Sequence, residues 1–179
     1  GIIYGAKCVD GKFGKALRFD GVNDYVEVAD SASLDLTKPF TIECWFKWNT
    51  VQNTWTSLVR KTIDPWGYPY GMYHIGIHVA NKIMAQVTVG GEQKQLVSDF
   101  QPEVGQWYHV VFVYPGAVYV NGNKIIDFPN YGDCDTNDQP LIIGASRWDR
   151  EFFDGIIDEV RIYNRALSEE EIRALYERG

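Results

Sequence analysis

FTIECWFKW, residues 40–48, places Ile42, Cys44, Phe46 and Trp48 at one parity and Glu43, Trp45 and Lys47 at the other. Successive side chains of an extended chain point to opposite faces, so the stretch reads as a β-strand with one face in a core. The same period of two runs through YGMYHIGIHV (70–79), IMAQVTV (83–89), WYHVVFVY (107–114), AVYV (117–120), KIIDF (124–128), PLIIG (140–144) and IIDEVRIY (156–163). All are rich in β-branched and aromatic residues, which suit a pleated, half-buried surface. Turn signals separate them. Asn121-Gly122 between two apolar runs is a strong hairpin signal, because a type I′ turn needs positive φ at both central residues. Gly90-Gly91 marks a second tight turn.

One segment reads as helix. In SEEEIRALYE, Ser168 is placed to cap the first turn and Glu171 to reach back, the S-x-x-E capping box. Ile172, Leu175 and Tyr176 then share a face that docks on the body of the protein. About a dozen short strands and one terminal helix give an all-β chain. Exposed sheet edges invite aggregation, so such chains close into barrels or pair their sheets into sandwiches. WYHVVFVY is apolar at both parities, which suits a central strand of a two-sheet sandwich covered on both faces.

The bulk numbers agree. The 179 residues suit one domain, and 45% hydrophobic with 15% aromatic residues excludes a disordered chain. A formal net charge of −7 with scattered Lys and Arg argues against nucleic-acid binding, which needs clustered cations. No apolar run approaches the roughly 18–20 residues of a membrane span, so membrane insertion is not expected. The chain starts at Gly1 rather than Met, which reads as a processed or excised piece of something longer. Of three cysteines, Cys44 sits in an apolar strand as a small buried hydrophobe, and Cys8 and Cys134 are the candidates for one bridge. No C-x-x-C is present to hold zinc.

Four blocks, GKFGKALRFDGVNDYVEV (11–28), FTIECWFKW (40–48), GQWYHVVFVY with VNGNKI (105–125) and PLIIGA with FDGIIDEVRIYNRALSEEEIRALY (140–176), resemble a laminin-G-like jelly roll of the concanavalin A-like lectin/glucanase superfamily. Their order and spacing carry the resemblance across nearly the whole chain. It implies a jelly-roll sandwich of two antiparallel sheets, one of them concave, with the first and last strands side by side and one short C-terminal helix, in a single domain over 1–179. It also implies an accessory module of a secreted or surface protein, binding glycans or surface partners, often with Ca²⁺. A minority of the superfamily are glycoside hydrolases.

Those hydrolases carry their carboxylates as E-x-D-x-x-E on one strand face, and this chain has no such pattern. Asp158 and Glu159 are adjacent, so on a strand they point to opposite faces. No catalytic residue is expected. FDGVND and FDGIIDEV share an echo that suggests calcium instead, a hard cation that takes six to eight oxygens. If the terminal strands are neighbours, Asp20, Asn23 and Asp158 surround an ion, with Asp24 as the alternative to Asn23. The plainer reading is that Asp20 caps the turn at Gly21. DCDTND (133–138) starts like an EF-hand loop but fails at its sixth and twelfth positions, leaving a solvated acidic loop as the default and a surface calcium loop at Asp133, Asp135 and Asp138 as the alternative.

Sugars present flat C–H faces to aromatic rings and hydroxyls to polar side chains. Trp45, Trp48 and Trp107 lie in strands and read as core. Trp55, Trp66, Tyr68, Tyr70 and Trp148 fall in loops or at strand ends, either as lids on the sandwich or as a binding surface. Arg60 and Arg147 lie near them as forked donors. His74 and His78 are four apart in a strand, about 13 Å, too far to share one metal; the plain reading is two polar strand positions, and the alternative is that one or both face a ligand on the concave sheet. The expected function is a non-catalytic, extracellular or cell-surface, carbohydrate-binding module stabilised by Ca²⁺. A protein-binding adhesion module and, behind it, a glycoside hydrolase are the alternatives.

Overall fold

The computed structural model describes residues 1–52, 54–61, 71–146 and 151–179. Among these the strands in chain order are β1 (Ile2–Tyr4), β2 (Lys7–Asp10), β3 (Lys15–Asp20), β4 (Tyr25–Val28), β5 (Phe40–Trp48), β6 (Thr56–Lys61) and β7 (Tyr73–Ile77). They continue as β8 (Ile83–Val89), β9 (Glu92–Val97), β10 (Tyr108–Tyr114), β11 (Gly116–Val120), β12 (Asn123–Phe128), β13 (Leu141–Ile143) and β14 (Asp154–Tyr163), followed by helix α1 (Glu169–Glu177). Two seven-stranded antiparallel sheets form, ordered β1-β4-β13-β6-β7-β8-β9 and β12-β11-β10-β5-β14-β3-β2. This is the expected jelly-roll sandwich.

Alternation decides the layers. From β5, Ile42, Cys44, Phe46 and Trp48 enter the core between the sheets, where they meet Tyr73, Ile75, Ala85 and Val87 of the other sheet and Val110 and Phe112 of the neighbouring strand. The β11–β12 hairpin turns at Asn121 and Gly122 with φ of 50° and 74°, and Gly90 and Gly91 turn β8 into β9, again with positive φ.

The opposite parity of the second sheet is also covered. Val111, Val113, Ala117 and Tyr119 pack under Leu167 and Ile172. The capping box holds α1 in place, with Glu171 N–H donating to Ser168 Oγ at 3.2 Å and Ser168 N–H donating to Glu171 Oε2 at 2.9 Å. Tyr176 stacks on Trp45, centroids 5.8 Å apart, so Trp45 is buried on the outer face and not in the central core. Glu43 is buried on this outer face too. His109 Nε2 lies 2.8 Å from it, and Tyr163 Oη and Arg161 Nη1 donate to it at 2.8 and 3.1 Å. Burial alone would raise the pKa of Glu43, but these hydrogen bonds outweigh it and hold the carboxyl below its ordinary value.

Three expectations need correction. The strands beside β14 are β5 and β3, not the first strand, and β1 lies in the other sheet on β4. Strands β1, β2, β6 and β9 stand where no strand was expected. Cys8 is exposed on β2 and Cys134 is buried in the core, and all three cysteines are free.

The helix is expected to contribute stability through its cap. Ser168→Ala should lower the unfolding free energy by about 1 kcal/mol, measured as a shift in urea midpoint at constant slope. An unchanged midpoint would mean that packing alone holds α1.

Candidate ligand-binding hollow

Register builds the site. In the first sheet Arg60 of β6 stands opposite His74 of β7, His74 opposite Gln86 of β8, and Gln86 opposite Gln95 of β9. The alternate positions Val59, Ile75, Ala85 and Val87 are in the core. Arg60, His74, Gln86 and Gln95 therefore form one polar row across four strands, on the face turned away from the core. With Gln93, Trp55 and Glu151 they line a hollow of about 320 Å³, within the size range of ligand pockets.

Three of the four are buried although polar, His74 and Gln86 each 3% exposed and Arg60 7%, while Gln95 is half-buried. Partners compensate most of it. Arg60 Nη1 donates to Ser146 Oγ at 2.8 Å and lies 3.6 Å from Glu151 Oε2. Gln93 Nε2 donates to Gln86 Oε1 at 2.7 Å and to Gln95 Oε1 at 3.0 Å. Gln86 Nε2 donates to the Gly71 carbonyl at 3.2 Å. These bonds fix the amides and orient the guanidinium.

His74 is less well served. Its Nε2 is buried with no hydrogen-bond partner. Burial, and then the Arg60 charge, push its pKa well below the ordinary imidazole value. The ring is therefore neutral and offers one N–H donor and one nitrogen acceptor. An unpartnered polar atom in a hollow normally costs folding free energy, so a ligand hydroxyl is its natural complement. Gly76 keeps the space clear: a Cβ there would come within 2.3 Å of the Thr56 carbonyl and 2.7 Å of His74 Nε2.

Of the residues expected to bind ligand, the structure brings Trp55, Arg60 and His74 together. His78 stands just outside. Its ring meets Trp55 edge to face at 4.4 Å, and its Nδ1 accepts the Ala80 N–H at 3.1 Å. Trp66, Tyr68, Tyr70, Arg147 and Trp148 lie outside the described residues. The sequence reading missed Gln86, Gln93, Gln95 and Glu151. A signal existed in EQKQLV, where two glutamines two apart share a strand face.

The calcium set does not assemble. Asp20 pairs with Asp154, so Asp158 lies four residues further along β14, about 13 Å away. Asp158 instead clamps backbone, its Oδ2 accepting the Phe13 N–H at 2.9 Å and its Oδ1 the Glu159 N–H at 2.8 Å. Asp20 Oδ1 caps its own turn, accepting from Val22 at 2.9 Å and Asn23 at 3.3 Å. Asn23 is exposed, while Asp24 is buried and accepts the Asp20 N–H at 3.0 Å. Among the described residues no group of three or more His, Cys, Asp or Glu side chains is placed to hold a metal. Asp20, Asn23, Asp24 and Asp158 therefore do not fit a single calcium shell. In the acidic loop Asp135 accepts the Gly90 and Gly91 N–H groups at 2.9 and 2.7 Å, tying that loop to the β8–β9 turn.

A family model described as the concanavalin A-like lectin/glucanases superfamily, Laminin_G_3, matches residues 20–173. Domain 4 of AbnA, a GH43 extracellular arabinanase from Geobacillus stearothermophilus in complex with arabinotriose, is similar at 25% identity and TM-score 0.74, covering 98% of this chain and 82% of that one. The binding domain of Paraclostridial Mosquitocidal Protein 1 superposes at TM-score 0.75 and 20% identity, covering 98% of this chain and 46% of that one. Trypanosoma rangeli sialidase in complex with the inhibitor DANA gives TM-score 0.70 at 16% identity, covering 96% and 29%. The chain thus spans less than half of the mosquitocidal binding domain and under a third of the sialidase. No curated protein sequence matches.

Two measurements check this geometry. The unfolded chain takes a proton on His74 below about pH 6.5 while the folded one resists it, so stability falls as pH drops below that value. The wild type should lose up to about 1.4 kcal/mol more per pH unit there than His74→Gln, read from urea unfolding at pH 7, 6 and 5. Parallel pH curves would place the ring in a wetter setting. For the metal, EDTA should leave the melting temperature unchanged, whereas a drop of several degrees with calcium in the native mass would restore an ion at the turn 20–24.

Proposed function

The chain belongs to the concanavalin A-like lectin/glucanase superfamily, as a laminin-G-like domain, and on that footing we propose that it is a non-catalytic carbohydrate-binding module. The observation that carries this is the row Arg60–His74–Gln86–Gln95, with an unpartnered His74 nitrogen inside a hollow walled by Trp55. Hydroxyls are donors and acceptors at once, and the amides and the neutral imidazole match that. The indole supplies a flat apolar wall for a sugar ring. A hollow with converging polar groups favours a small glycan over the flat patch that a protein partner needs.

The non-catalytic part has its own support. Glycoside hydrolysis uses two carboxylates about 5–10 Å apart across one sugar. Among the described lining residues Glu151 is the carboxylate, and it faces Arg60. Glu43, the other buried acid in a cluster, lies on the second sheet against His109, Arg161 and Tyr163. The arabinanase whose domain 4 holds arabinotriose suggests pentose or hexose oligosaccharides as first ligands, and an extracellular setting within a longer protein.

Calorimetry with neutral oligosaccharides, arabinotriose included, is the test. Saturable binding is expected, weakened about tenfold or more (1.4 kcal/mol is tenfold) by Trp55→Ala and by Gln95→Ala, each with an unchanged melting temperature. Binding untouched by both variants would move the site elsewhere. Sustained release of sugar from a polysaccharide would overturn the non-catalytic reading.

A further inference from the structure

The ion pair in the hollow bears on which sugars enter. Arg60 and Glu151 are the charged side chains among its described lining residues, and their signs are opposite. Their side chains are only 9% and 15% exposed, so water screens them poorly. Arg60 Nη1 is held between Glu151 Oε2 at 3.6 Å and Ser146 Oγ at 2.8 Å. A ligand carboxylate reaching for the guanidinium would stand beside the Glu151 carboxylate, and like charges set together are costly. It would also meet the wrong hydrogen-bonding partners. A carboxylate only accepts, whereas the hollow presents acceptors as well as donors, among them Glu151 itself and one nitrogen of the neutral His74 ring. A hydroxyl satisfies both kinds.

We infer that this hollow selects uncharged sugar units and rejects uronic and sialic acids, with Glu151 as the specificity-determining residue that keeps Arg60 from a ligand carboxylate. The inference rests on the carbohydrate-binding reading of the same hollow. Glu151 acts through Arg60, so its signature is a change of preference and not a general loss of binding. Glu151→Gln keeps the side chain's shape, removes the charge and turns one acceptor oxygen into an amide donor. It leaves a buried guanidinium with less compensation, the setting in which Arg takes carboxylates in bidentate fashion.

The experiment is an array of neutral pentose and hexose oligosaccharides printed beside uronic-acid and sialylated counterparts, followed by calorimetry on the best matched pair. Wild type is expected to bind the neutral member at least about tenfold more tightly. Glu151→Gln is expected to narrow or invert that ratio, with unchanged circular dichroism and a melting temperature lowered by the lost ion pair. Acidic sugars bound as well as neutral ones by the wild type would overturn the inference and leave the carbohydrate reading standing. A preference unaltered in Glu151→Gln would remove Glu151 from its role. Binding to no sugar at all would overturn both.

Discussion

Antiparallel pairing sets every residue of a strand opposite one residue of its neighbour, and alternation then assigns both to the same face. One register therefore propagates across a whole sheet. In the first sheet it runs Arg60, His74, Gln86, Gln95. The core demands that Ile75 and Val87 point inward, and once they do, the polar row has to point out. A slip by one residue in β7 would bury His74 in the core and expose Ile75. The hydrophobic pattern that holds the sandwich together is thus also what aims the polar row.

The two outer faces settle the same physical problem in different ways. Each carries buried polar groups, which must be paired or cost free energy. On the second sheet Glu43 is met by Arg161, Tyr163 and His109, and α1 closes over the neighbouring apolar residues. His109 Nδ1 has no hydrogen-bond partner there, its ring lying against Trp45 and Tyr176. On the first sheet the glutamine amides and Arg60 Nη1 find partners, and the unpartnered His74 Nε2 belongs to a residue that lines an open hollow. Burial and the Arg60 charge keep that ring neutral, so it stays available for a hydroxyl. Partners already in place hold the rest of the row in position before any ligand arrives, which limits the ordering cost of binding.

Much of the fold was legible because its signals are local. FTIECWFKW shows its alternation openly, Asn121-Gly122 its turn, and Ser168 with Glu171 its cap. β9 was not legible, since EQKQLV is polar and offers no apolar stripe, and with it went Gln93 and Gln95. Glu151 escaped because it reaches the hollow from a segment far along the chain. Trp55, Arg60 and His74 were found from residue type and placement, but their convergence depends on pairing between β6 and β7, which no short window of sequence records. The echo between FDGVND and FDGIID matches Asp20 with Asp154, and register pairs those two residues. The calcium set took Asp158 instead, from the expected closeness of the two segments, and the register that separates it from Asp20 is not written in either segment.

The protein's three histidines report on these faces separately: His74 in the hollow, His78 beside Trp55 at its edge, and His109 on Glu43 in the second sheet. A titration with a neutral oligosaccharide, followed by the imidazole nitrogen resonances, tests the central claim most directly. The account predicts that His74 shifts and saturates while His109 stays still. Saturation at His109, or binding that leaves the His74 resonances unmoved, would contradict it.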